Sequence, residues 1–118
     1  MIKFLVKLPI LKRLIPSLGI RLLSILKKNR GYFEINNVKM FLDFLDPIDR
    51  QIILTEEYEN DEFLIFSKYI KENSINNFID IGANCGFYTF HLSSILNVFA
   101  FEPNLEAYEK LEKTLKKN

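Results

Sequence analysis

The stretch FIDIGANCG, residues 78–86, decides the fold. A short apolar run carrying one acid, Asp80, leads into a loop with two glycines, and a helical stretch is predicted over 87–96. A second apolar run at 98–101 and a predicted helix over 105–117 follow. Strands that alternate with helices are typical of a parallel sheet with helices on its faces. The sequence therefore predicts an α/β fold.

The loop itself has the composition of a ligand site. Ligands in open α/β sheets bind outside the carboxyl ends of the strands, and Gly82 and Gly86 allow both a sharp turn and a close approach to the backbone. Asn84 replaces a glycine at the middle position, and asparagine tolerates left-handed φ/ψ well. Glu102 stands twenty residues after Gly82, at the end of the second strand. A carboxylate there can accept both hydroxyls of a ribose.

The glycine spacing separates two nucleoside cofactors. In the dinucleotide fingerprint the last glycine comes five residues after the first, and here that position holds Phe87, which is too large for a pyrophosphate to come close. The last glycine comes four residues after the first instead, as is usual in folds that bind S-adenosylmethionine (SAM). The N–H groups opening the next helix would face the methionyl carboxylate of SAM. The spacing favours SAM over NAD.

Residues 78–89, FIDIGANCGFYT, and residues 100–104, AFEPN, resemble the signature of the FkbM family of SAM-dependent methyltransferases. The match covers residues 78–115, and the segment at Tyr58 and Glu59 is similar more weakly to the family's preceding region. The resemblance implies a partial Rossmann-like class I methyltransferase fold and O-methylation of a hydroxyl on a sugar or secondary metabolite. It implies a small-molecule or glycan acceptor and no metal. No nucleic-acid partner is expected.

The resemblance also implies the cofactor-binding residues. The chain carries only the first two parallel strands of what is a seven-stranded sheet in the family, so an N-terminal fragment is expected, with the base and acceptor residues beyond Asn118. Half of a split protein and a non-catalytic remnant that binds a membrane or a partner are the alternatives. No catalytic residue is assigned. Asp80, Gly82, Asn84 and Gly86 would line the methionyl side of SAM, and Glu102 would bind its ribose. Ala83 is the sixth expected cofactor-binding residue.

A β-hairpin is predicted over residues 32–42, with Asn36-Asn37 in a two-residue turn, because asparagine tolerates the positive φ that such a turn requires. The predicted cross-strand pairs are Ile35 with Val38, Phe33 with Met40 and Glu34 with Lys39. The stretch over 48–55 is apolar but ambiguous in type. The incomplete cofactor domain, residues 31–118, would thus contain the hairpin, a helix over 60–71 and the SAM loop 80–86.

Two helices are expected to bury an apolar stripe, and the acidic cluster over 56–62 is interpreted as a solvated loop and first helical turn. The expected stripes are Phe63, Phe66, Tyr69 and Ile70 in the first helix and Leu105, Tyr108, Leu111 and Leu115 in the last. The last helix also offers three ion pairs at i,i+4 spacing: Glu106 with Lys110, Glu109 with Lys113 and Glu112 with Lys116. Near the loop, Cys85 and Tyr88 are assigned to packing, and His91 to the surface or to packing.

The first 30 residues form a basic arm. They hold eight Lys or Arg and no acid, whereas residues 31–118 are net −7. No apolar run approaches the roughly 18 residues that a membrane span requires. Two interpretations stay open: an amphipathic anchor lying on anionic membrane, or a helix packed on further protein. The expected location is cytoplasmic, at the membrane surface if the arm is an anchor.

Overall fold

The computed structural model describes residues 17–19, 21 and 29–118. Residues 17–19 and 21 are helical, and the two interpretations of the basic arm otherwise fall outside the described residues. No helix in the described part is both long and apolar enough to cross a membrane. The remaining elements are β1 (Arg30–Ile35), β2 (Val38–Asp43), α1 (Pro47–Thr55), α2 (Asn60–Glu72), β3 (Asn77–Ile81), α3 (Phe87–Leu92), β4 (Asn97–Phe101) and α4 (Leu105–Leu115).

β1 and β2 form the predicted hairpin in the predicted register. The strands are antiparallel, with Ile35 opposite Val38. Asn36 and Asn37 both have positive φ, 47° and 69°, as a turn whose twist matches the strands requires. The pairs Phe33 with Met40 and Glu34 with Lys39 are also confirmed.

β3 and β4 form a second, parallel sheet of two strands, which confirms the α/β class. Phe78 lies opposite Val98 and Asp80 opposite Ala100. α3 connects the strands but ends at Leu92, four residues before the predicted end. The chain then turns through 93–95, and Leu96 is buried just before β4.

The ambiguous stretch before the acidic cluster is a helix, α1. Asp46 has an extended backbone and caps it, because its Oδ1 accepts the N–H groups of Ile48 (2.8 Å) and Asp49 (3.3 Å). Pro47 occupies the first helical position, where its missing N–H costs nothing. The Asp46 cap and Pro47 therefore favour a helix over a strand for this segment, which its hydrophobic pattern did not distinguish.

Two apolar cores hold these elements together. Phe63 and Tyr88 pack against both cores and so connect them. The first core joins the hairpin to α1 and the glycine loop through Ile35, Met40, Leu42, Ile52, Cys85 and Phe87. The second joins α2 and α3 to the parallel sheet through Ile70, Leu92 and Leu96.

The predicted apolar stripes of α2 and α4 are wrong in part. In α2 only Ile70 is buried, while Phe66 and Tyr69 are about half exposed. In α4 the buried residues are instead Lys110 and Thr114. The α4 stripe is exposed at Leu105, Tyr108 and Leu115, and only Leu111 is partly buried.

The free edge of β2 explains why α4 buries a polar face. An unpaired strand edge presents N–H groups that need acceptors when they are covered. Three side chains supply acceptors to this edge, two of them on α4 or just after it. Lys39 N–H donates to Asn118 Oδ1 (3.0 Å), Phe41 N–H to Thr114 Oγ1 (2.9 Å) and Asp43 N–H to Asp49 Oδ2 (2.8 Å).

A buried ion pair fixes α4 to the same place. The Lys110 ammonium lies 2.7 Å from Asp49 Oδ2 and 3.2 Å from Asp46 Oδ2, with Lys110 4% and Asp49 0% exposed. Burial alone would lower the pKa of Lys110, but its bonds to the two carboxylates outweigh that effect and raise it. Lys110 therefore does not pair with Glu106 as predicted, whereas the predicted pair of Glu112 with Lys116 is formed at 3.2 Å.

Lys110→Ala should destabilise the chain strongly, because it leaves the buried Asp49 carboxyl, whose pKa burial already raises, without its ammonium partner. Breaking a buried pair from one side costs about 3–5 kcal/mol. Lys116→Ala is the matched control: it removes an exposed pair from the same helix and should cost less than about 0.5 kcal/mol. Urea unfolding of both variants measures the difference, and equal midpoints would contradict the role given to Lys110.

The parallel sheet exposes one apolar face. Ile81 is 83% exposed, and Ile79, Phe99 and Phe101 are between 55% and 62% exposed. Parallel sheets usually have both faces covered, and an apolar patch of this kind favours association.

The double variant Ile81→Thr/Phe101→Thr should therefore reduce self-association while changing the free energy of unfolding by no more than about 1 kcal/mol. Light scattering after size-exclusion chromatography measures the first effect and thermal unfolding the second. Phe78→Thr, on the covered face of β3, is the control and should destabilise by more than about 1 kcal/mol without reducing association. Unchanged association of the double variant would show that another surface causes it.

Candidate functional site

The glycine loop has the left-handed backbone that its sequence predicts. Gly82, Asn84 and Gly86 have φ of 79°, 50° and 85°. The N–H groups of Gly82 and Ala83 both donate to the carbonyl oxygen of Phe101, at 2.8 and 3.1 Å. The loop is thereby fastened to the carboxyl end of β4, where Glu102 follows.

Glu102 joins the glycine loop to the start of α4. Its Oε2 accepts the N–H of Asn84 in the loop, and its Oε1 accepts the N–H of Asn104 at the start of α4, each at 2.7 Å. An ionised carboxylate offers roughly four acceptor positions, two on each oxygen. One position on each oxygen is used here, so each oxygen can accept one more hydrogen bond.

Asp80 is tied to α3. Its Oδ2 accepts the hydroxyl hydrogen of Thr89 at 2.5 Å, and Thr89 is buried. This bond connects the end of β3 to the first turns of the helix that follows the loop. Asp80 therefore has a structural contact in addition to its place beside the loop.

A cleft of about 570 Å³ opens between the loop, the start of α4 and the connection from β2 to α1. Its volume lies within the roughly 300–1,000 Å³ of typical small-molecule sites. The loop and the end of β4 contribute Gly82, Asn84 and Glu102 to its lining. The end of β2, the connection after it and α4 contribute Asp43, Asp46 and Lys110.

The Arg30 guanidinium stands at the edge of this cleft. It bonds Asp43 at 2.6 Å and also Glu106, which lines the cleft from α4. Burial alone would raise the pKa of Asp43, but hydrogen bonds from the Leu45 N–H, Arg30 and Asn29 hold it below its usual range. Asp43 is therefore ionised at neutral pH.

A second hollow of about 270 Å³ lies beside the same loop. Its walls include Tyr58, Glu59, Asp80 and Tyr88, and it shares Gly82 and Asn84 with the first cleft. The Tyr88 hydroxyl donates to Glu59 Oε2 at 3.0 Å. Burial and this bond raise the pKa of Tyr88, so its hydroxyl stays protonated and holds the carboxylate in place.

The structure brings five of the six predicted cofactor-binding residues to these two spaces. Gly82 and Asn84 line both, Glu102 lines the cleft, and Asp80 and Ala83 line the second hollow. Gly86 lines neither. It is buried, its φ is positive, and a Cβ on it would lie 2.6 Å from the Phe90 ring, so backbone conformation and close packing both favour glycine there.

The packing roles of Cys85 and His91 agree with the sequence analysis. Cys85 is 2% exposed, and burial raises the pKa of its thiol to about 12, which is far from a reactive thiolate. Both ring nitrogens of His91 face backbone carbonyls, those of Phe87 at 2.7 Å and Ile35 at 3.1 Å. His91 thus joins α3 to the hairpin. Tyr88 differs, because its ring packs in the core while its hydroxyl reaches the second hollow.

Sequence reasoning missed part of the lining of the cleft and one of the two acids of the second hollow, Glu59. Asp43, Asp46 and Lys110 lie far apart in the chain, and helical spacing predicted a different partner for Lys110. The sequence alone places Glu59 in a solvated acidic cluster. The one signal that pointed to it was the weak family resemblance at Tyr58 and Glu59.

Comparison with known proteins gives no family model, no curated protein and no solved structure that matches this chain. Within residues 17–19, 21 and 29–118, no group of three or more His, Cys, Asp or Glu side chains is arranged to hold a metal ion. The interpretation of the site therefore rests on its own residues and their geometry.

Gly86→Ala and Gly82→Ala should separate the two glycines by their effect on stability. Both have positive φ, which costs a residue with a Cβ about 1–2 kcal/mol. Gly86→Ala adds the clash with Phe90, whereas a Cβ at Gly82 meets nothing within 4 Å. We expect Gly86→Ala to destabilise by at least about 1 kcal/mol more, as measured by urea unfolding. Equal losses would contradict the packing role of Gly86.

Proposed function

We propose that this chain forms the SAM-binding part of a methyltransferase of the FkbM type, which methylates a hydroxyl oxygen of a sugar or secondary metabolite. The observation that carries the proposal is the state of Glu102. Its carboxylate is held by two backbone N–H groups at the mouth of a cleft, and each oxygen retains one acceptor position. The two vicinal hydroxyls of a ribose are matched donors for those two positions.

The space around the loop supports the same ligand. Gly82 has open space where a Cβ would stand, so a ligand can approach the backbone closely. The cleft and the second hollow both border Gly82 and Asn84, which suits an elongated ligand that passes the loop. The element order β3, α3, β4, α4 is the order expected at the start of a Rossmann-like sheet, and the loop follows the carboxyl end of β3.

The charge of the cleft favours SAM over a dinucleotide. Four carboxylates line it, those of Asp43, Asp46, Glu102 and Glu106, against the single ammonium of Lys110. Lys110 is already paired with Asp46 and Asp49, and Arg30 with Asp43 and Glu106. A pyrophosphate would meet carboxylates without a free cation among these residues, whereas SAM carries a positive charge.

The chemistry divides between the cofactor and the chain. SAM, when bound, supplies an electrophilic methyl group. Glu102 would hold the ribose, Gly82 and Asn84 would border the sulfur-bearing segment, and Asp80 and Ala83 the methionyl side. Transfer requires the acceptor oxygen in line with that methyl group, and the described residues provide no assigned base for it. The proposal for this chain is therefore a cofactor-binding unit.

Calorimetric titration of SAM into the 118-residue chain tests the proposal. Glu102→Gln keeps the shape of the side chain and removes its charge, and a hydrogen bond to a charged group contributes roughly 1.5–3 kcal/mol. We expect Glu102→Gln to weaken SAM binding by about 10- to 100-fold, and we expect no appreciable NAD binding by the parent chain. Glu112→Gln, on the exposed side of α4, is the control for a lost charge and should bind SAM like the parent.

Two outcomes would overturn this function. One is a parent chain that binds NAD better than SAM, or binds neither. The other is a folded Glu102→Gln variant that binds SAM as tightly as the parent, since the carboxylate would then not hold the ribose.

A further inference from the structure

The second hollow combines a carboxylate with aromatic walls. Tyr58 and Tyr88 lie edge to face, with ring centroids 6.5 Å apart, and both line the hollow together with Glu59. The buried ring of Phe87 also lines the hollow, and its centroid lies 5.9 Å from that of the Tyr58 ring. Aromatic faces attract a cation within about 6 Å, and a carboxylate accepts hydrogen bonds from an ammonium group.

The Glu59 carboxylate is available to a ligand. Glu59 occupies the N-cap position of α2, but its side chain makes no capping hydrogen bond. It is instead directed to two tyrosines: the Tyr88 hydroxyl donates to Oε2, and the Tyr58 hydroxyl also bonds the carboxylate. Since a carboxylate has roughly four acceptor positions, Glu59 retains positions for a cation in the hollow.

The second hollow lies next to the cleft at Glu102. Both border the glycine loop at Gly82 and Asn84, and Asp80 adds a second carboxylate on the side of the hollow. A ligand whose ribose is held by Glu102 and whose chain passes the loop would place its far end in the hollow. In SAM that far end is the amino-acid group, which lies beyond the sulfur.

We propose that Glu59 binds the α-ammonium group of the cofactor in this hollow, with Tyr88 as the residue that positions Glu59. This inference rests on the proposed function and adds a residue and a role to it. The ammonium fits better than the other charged groups of the cofactor. A carboxylate would be repelled by Glu59 and Asp80, and a sulfonium has no N–H to donate to them.

Three ligands distinguish the groups of the cofactor. Of the two cationic groups, SAM carries both the ammonium and the sulfonium, S-adenosylhomocysteine carries only the ammonium, and 5′-methylthioadenosine carries neither. We expect Glu59→Gln to weaken SAM and S-adenosylhomocysteine binding by the same factor, about tenfold. Binding of 5′-methylthioadenosine should not change. Glu102→Gln should weaken all three ligands, because all three carry the ribose.

Two further variants sharpen the test. Glu57 lies two residues from Glu59, and its side chain does not line this hollow. Glu57→Gln therefore removes an equal charge and should leave all three affinities unchanged. Tyr88→Phe keeps the ring and removes the hydroxyl that holds Glu59. It should weaken SAM and S-adenosylhomocysteine, by less than Glu59→Gln does, and leave 5′-methylthioadenosine unchanged. Circular dichroism of each variant establishes that it is folded.

Each outcome has a separate meaning. If the parent binds none of the three ligands, the proposed function fails and this inference fails with it. If the parent binds SAM and Glu102→Gln weakens it but Glu59→Gln does not, the assignment of Glu59 alone is overturned. If Glu59→Gln weakens SAM but not S-adenosylhomocysteine, Glu59 faces the sulfonium and the ammonium assignment is wrong.

Discussion

The packing of α4 against the hairpin depends on the contacts of the Asp49 carboxylate. It is fully buried, and its Oδ2 accepts both the N–H of Asp43 at the edge of β2 and the ammonium of Lys110 on α4. Its other oxygen, Oδ1, is buried without a hydrogen-bond partner among the described residues. Because a buried carboxylate is costly to leave unpaired, Lys110 has one stable position, and α4 is held beside the hairpin.

That position of α4 creates the cleft. Lys110 lines it from α4 together with Asp43 and Asp46, and α4 begins beside it, just after Glu102 and Asn104. Glu102 then closes the arrangement by binding an N–H on the loop and another at the start of α4. The carboxylate proposed to hold the ribose therefore also determines where the loop stands relative to α4. A ligand that adds bonds to Glu102 would act on both contacts at once.

Because α4 buries polar side chains, its apolar side chains lie at the surface. An amphipathic helix normally packs its apolar side inward, but here the edge of β2 needs acceptors and Asp49 needs a cation. Thr114 and Lys110 meet those needs, so Leu105 and Leu115 face outward, 72% and 63% exposed. The uncovered face of the parallel sheet adds Ile81 and Phe101 to the exposed apolar surface. The described part of the chain thus buries polar groups beneath α4 and leaves apolar side chains on its outer faces.

Local sequence determined the hairpin, the two parallel strands, α2 and the left-handed loop, because each depends on neighbouring residues: paired asparagines for the turn, apolar runs for the strands, glycine and asparagine for positive φ. The fold class and most of the loop site could therefore be predicted. Only the tertiary structure decided which face α4 buries, since Lys110 meets Asp49 across 61 residues of chain. It likewise decided that Glu59 and Tyr88, 29 residues apart, meet at one hollow. Periodicity records the neighbours of a residue along its own helix, and it carries no information about a buried acid supplied by another element.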